Sequence, residues 1–146
     1  MDDLAVGTWH IVETSLPLWR TRHDPTVTYA ALPDDALIDV VSFRSRGGAP
    51  RRIIGIDQRS PNGGWRWRGV GPITRFARSD WRFVAGDAAD GWAVTAFART
   101  PFTSAGIDLY FRERHPSEEL LAAARRATSA DPRSHPLATR LFRTRT

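Results

Sequence analysis

The sequence contains no cysteine and no lysine, one methionine and two tyrosines in 146 residues, and all 21 of its basic side chains other than histidine are arginine. The missing cysteines exclude disulfides, thiolate nucleophiles, thiolate zinc sites and iron–sulfur clusters. Without lysine there is no side-chain amine to form a Schiff base. His10, His23, His115 and His135 are too far apart in sequence to make a short ligand motif, so no metal site is expected. No stretch approaches the ~20 apolar residues of a membrane-spanning helix. The start, Met1-Asp2-Asp3-Leu4, is acidic and has no apolar segment behind it, unlike a secretory signal. Together these features predict a cytoplasmic protein.

What is present describes an ordinary globular chain. With 41% hydrophobic and 25% charged residues, a chain of this length is expected to fold as one domain over residues 1–146. Charge is uneven: residues 44–82 carry ten arginines and two aspartates, whereas residues 1–43 carry two arginines and seven acids. Such a basic block suits a phosphate backbone. In Trp65-Arg66-Trp67-Arg68, however, strand alternation sends the indoles to one face and the guanidiniums to the other. Single-strand binding needs both on one exposed face, so nucleic acid is not an expected partner.

Period-2 segments bounded by turn residues recur at 9–14, 27–32, 37–43, 52–57, 65–70, 79–85, 92–98 and 107–113. Pro33-Asp34-Asp35, Gly47-Gly48-Ala49-Pro50 and Ser60-Pro61-Asn62-Gly63-Gly64 are turn signals. Residues 16–25 read as a long irregular loop carrying Trp19. One segment has helical spacing: after Pro116, Glu118 and Glu119 precede Leu120, Leu121 and Ala124, with arginines near the end. An eight-strand meander removes its exposed edges by closing on itself. The expected fold is therefore all-β: an eight-stranded antiparallel up-and-down β-barrel over about 5–115, a C-terminal α-helix at about 116–128 packed outside, and an edge segment at about 137–143.

This order of elements, with three local motifs, resembles the lipocalin family of the calycin superfamily, especially its short bacterial and apolipoprotein-D-like members, here without disulfides. Gly7-Thr8-Trp9 looks like the family's GxW signature, followed by Leu16-Pro17. Asp90-Gly91-Trp92 through Ala98 sits where the family has its second motif, and Leu109-Tyr110-Phe111-Arg112-Glu113-Arg114-His115-Pro116 looks like the end of the eighth strand with the family's arginine. The resemblance covers residues 5 to about 128. It implies that Arg114 lies on the indole face of Trp9 as a plug of the barrel's closed end. It also implies a small hydrophobic or amphipathic ligand, carried or sequestered without a cofactor, by a monomer or a homodimer. A haem-binding barrel, nitrobindin, starts with a similar segment but needs an inward histidine. Here His115 stands beside Pro116, and His10 has the opposite parity to Trp9.

Aromatic residues supply the expected ligand wall: Trp19 from the loop, and Tyr29, Phe43, Trp65, Trp67, Trp81, Phe83, Phe97 and Tyr110 from strands. Alternatively these rings simply fill the barrel. Polar residues at inward parity are Glu13, which follows Trp9 and Ile11, together with Asp39 and Asp108. Glu13 and Tyr110 are the candidate catalytic pair if the protein is instead an intracellular cyclase or isomerase that folds a polyene or polyketide-like substrate.

Overall fold

The computed structural model describes residues 2–101 and 103–146. A short helix α1 (Asp2–Ala5) leads into β1 (Gly7–Thr14), and a 3-10 turn (Pro17–Thr21) leads into β2 (His23–Leu32). The strands β3 (Ala36–Arg44), β4 (Pro50–Arg59), β5 (Trp65–Gly69), β6 (Arg78–Asp87), β7 (Trp92–Phe97) and β8 (Gly106–Phe111) follow. Each pairs antiparallel with the next, and β8 returns to β1, which also pairs with β2, so the sheet closes as an eight-stranded up-and-down barrel. Helix α2 (Glu118–Ala130) packs outside on β6 and β7.

Alternation along the strands sorts the side chains as the sequence suggests. Trp65 is buried and Trp67 half-buried inside the barrel, while Arg66 and Arg68 are exposed. Helix α2 begins after Pro116, where the Ser117 hydroxyl accepts the Leu120 N–H at 3.2 Å and Glu118 and Glu119 occupy the first turn. Its Leu121, Ala124 and Thr128 are buried. Leu121 and Ala124 form, with Val12, Val94, Leu109 and Phe111, a second core between helix and barrel.

Two segments differ from expectation. The 16–25 loop is more ordered than anticipated, with a 3-10 turn and an early start to β2. The 137–143 edge segment is mostly a 3-10 helix (His135–Arg140), and only β9 (Phe142–Arg143) pairs, with Glu13 and Thr14 of β1. Pro136 at the head of that helix and the bond from the Ser134 N–H to Asp131 Oδ2, 2.9 Å, favour turns there. The edge offered to β9 is short because β2 already occupies the first half of β1.

Candidate ligand cavity

The closed end is built around Trp9, which is 0% exposed and donates its indole N–H to Ala5 O at 3.0 Å. The guanidinium of Arg112 lies 3.5 Å above the indole ring and donates to the carbonyls of Leu4, Val6 and Thr8 at 3.0, 2.8 and 3.0 Å. The arginine of the plug is therefore Arg112 and not Arg114. Register gives the reason: Phe111 pairs with His10, so the next residue falls beside Trp9, whereas Arg114 lies past the end of β8 and forms an ion pair with Asp24. Gly7 has φ +109°, and a Cβ there would stand 2.8 Å from Arg112 Nη1. The glycine thus supplies both a left-handed backbone and room for the guanidinium.

Above the plug lies a cavity of about 150 Å³. Trp19, Tyr29, Trp67, Trp81, Phe97 and Tyr110 border it, with Leu16 and Leu18 joining Trp19 from the turn after β1. Tyr29 and Trp81 stack at 5.4 Å, and the Tyr29 and Tyr110 hydroxyls are 3.2 Å apart. The other anticipated wall residues stand one layer back. Phe43 meets Trp19 edge-on at 5.6 Å, Trp65 stacks on Trp81 at 6.0 Å, and Phe83 lies edge-on to Trp81 at 5.3 Å. A second space, about 340 Å³, lies against the 60–64 turn and the segment 133–137, with Trp81 and Phe97 shared between the two.

Glu13 does not face the interior. A β-bulge opposes Ile11 to Tyr110 and Glu13 to Leu109, so Val12 is an extra residue and parity inverts beyond it. The carboxylate of Glu13 instead meets Arg125 of α2, with Nε to Oε1 at 2.9 Å, and Arg143 at 3.7 Å. A general acid or base at Glu13 next to an internal ligand is thereby excluded. Thr14 takes the inward position and donates to Asp108 Oδ1 at 2.6 Å.

Three carboxyls are buried inside: Asp39, Asp57 and Asp108, each at most 4% exposed. Trp67 donates its indole N–H to Asp39 Oδ1 at 2.9 Å, and Trp81 donates to Asp57 Oδ1 at 2.7 Å. Gly55 makes the first contact possible, since a Cβ there would collide with Trp67 Nε1 at 1.8 Å. Burial and the neighbouring charge of Asp39 push Asp57 up to about 9, against the pull of the Trp81 N–H. Asp39 is also raised by burial, with the Trp67 N–H pulling the other way. Burial and mutual proximity thus disfavour two negative charges on this pair. Burial raises Asp108 to about 7, with the Thr14 hydroxyl pulling the other way. It also raises Tyr29 and Tyr110, which stay protonated.

Asp57 and Arg112 are the two residues sequence reasoning missed. Asp57 shares its face of β4 with Ile53 and Gly55, so alternation alone could have placed it inside. Arg112 and Arg114 have the same parity, and only strand register separates them.

A closed eight-stranded meander with a Trp–Arg plug and an outer C-terminal helix is the lipocalin, or calycin, fold. No protein-family model matches the chain, and no curated protein matches it in sequence. Solved structures do match. Lobster apocrustacyanin A1 is 12% identical with a TM-score of 0.74, covering 99% of this chain and 78% of that one. The siderocalin Ex-FABP is 18% identical with a TM-score of 0.67, covering 84% and 83%. The amine-binding protein of Rhodnius prolixus, in complex with tryptamine, is 12% identical with a TM-score of 0.68, covering 88% and 73%. At these identities the likeness is one of fold.

Proposed function

We propose that the protein binds a small hydrophobic or amphipathic molecule inside the barrel and acts as a carrier or sequestering protein, working in the cytoplasm. The observation that carries this reading is the internal cavity walled by Trp19, Tyr29, Trp67, Trp81, Phe97 and Tyr110. Its volume, about 150 Å³, matches that of an engineered apolar cavity in another protein that takes up benzene. One aromatic ring with a short substituent fits it. A linear polyene would have to project out of it, which favours binding over cyclisation of such a substrate. Ligand binding by the siderocalin and by the Rhodnius amine-binding protein supports the reading, since both use this fold.

Titration with 2-phenylethanol, indole, palmitate and retinol, followed by tryptophan fluorescence and calorimetry, tests it. The one-ring and two-ring probes are expected to give saturable 1:1 quenching, because Trp19, Trp67 and Trp81 all touch the cavity. Palmitate and retinol are expected to bind more weakly. Absence of a saturable signal from every probe up to millimolar concentration overturns the proposal.

A further inference from the structure

We propose that the ligand is a small aromatic amine, held with its ammonium group against the Asp39 carboxylate and its ring among the indoles of Trp19, Trp67 and Trp81. This rests on the reading that the cavity takes a ligand and names that ligand's class. The first support is charge. Asp39 and Asp108 both border the cavity, and among the described residues its lining contains no arginine or histidine. Among the described residues the ion pairs lie elsewhere: Asp24 with Arg44 and Arg114, Asp35 with Arg59, Asp80 with Arg66, Asp131 with Arg82, and Glu13 with Arg125 and Arg143. A buried carboxylate without a cation is costly, and a bound ammonium would supply the missing partner.

Hydrogen-bonding capacity is the second support. Asp39 accepts from Trp67 on Oδ1, and Asp108 accepts from Thr14 on Oδ1. A carboxylate has about four acceptor positions and an ammonium three donors, so each carboxylate keeps acceptor capacity for such a group. The aromatic faces add cation–π attraction for an ammonium and none for a carboxylate. The cavity's size restricts the amine to about one ring.

The test compares phenethylamine, 2-phenylethanol and phenylacetate by calorimetry at pH 7.5. These probes share a ring and a chain and differ in charge. Phenethylamine is expected to bind at least about tenfold more tightly than 2-phenylethanol, and phenylacetate not to bind. Asp39→Asn is expected to remove that advantage while leaving 2-phenylethanol binding in place, which also shows that the variant is folded. Asp108→Asn serves as the second variant, with a smaller loss for the amine. Equal affinity of wild type for phenethylamine and 2-phenylethanol overturns the amine assignment and leaves ligand binding standing. No binding of any of the three overturns both.

Discussion

Strands β7 and β8 face two cores, and alternate residues of the same strand serve each. Outward, Val94, Leu109 and Phe111 meet Val12, Leu121 and Ala124 in a layer of aliphatic and aromatic groups, with the Glu13–Arg125 pair between β1 and α2. Inward, Thr95, Asp108 and Tyr110 join Asp39, Asp57 and the indoles around a cavity. The outer layer is close-packed, and each group there contributes by removing apolar surface from water. The inner layer retains space and buried carboxyls, both of which cost stability. That cost is expected where a fold is shaped to hold something else.

Substitutions on the two sides should therefore behave differently. The largest effect is expected for Phe111→Ala, which empties a fully buried position under α2; stability should fall by ~3–5 kcal/mol in urea unfolding. A loss below about 1 kcal/mol would break the view of the outer layer as the chain's tight core.

The next effect depends on pH. Asp57 is about 9 in the folded protein and about 3.9 when unfolded, so between these values the folded state binds more protons. Stability contributed by this group is complete below about pH 4 and declines as pH rises toward 9. Asp57→Asn cannot ionise and should flatten that decline. The variant's gain over wild type, on the order of a few kcal/mol, should appear at the alkaline end in unfolding curves from pH 5 to 9. Identical slopes for the two proteins would show that Asp57 is not the protonated partner.

The smallest effect is expected for Glu13→Gln. Its partner Arg125 is largely solvent-accessible, so the loss should be about 1 kcal/mol or less, with phenethylamine affinity unchanged. A tenfold change in that affinity would return Glu13 to the cavity side and contradict the bulge in β1.

Much of the barrel was legible in the residues because alternation, turn chemistry and capping are local. Asn62-Gly63-Gly64 marks a hairpin wherever it occurs, and Ser117 ahead of Glu118 and Glu119 marks a helix start. The cavity wall was legible where it is built from regular strand: Tyr29, Trp67, Trp81, Phe97 and Tyr110 all border the cavity. Glu13 was misread because a bulge is a property of two strands in register, and nothing in His10-Ile11-Val12-Glu13 announces the extra residue. The closeness of Asp39 and Asp57 likewise depends on β3 meeting β4, which brings residues 18 apart in sequence onto neighbouring strands.

By itself, then, the sequence determined the strand faces, the outer helix and the cysteine-free, all-arginine chemistry of the surface. Those follow from the identities and spacing of near neighbours. Only the tertiary structure decided that Arg112 rather than Arg114 covers Trp9, that Glu13 belongs to the helix, and that the indoles of Trp67 and Trp81 reach Asp39 and Asp57. Each of these depends on which strand lies opposite which, a relation that burial and register create and that no local pattern contains.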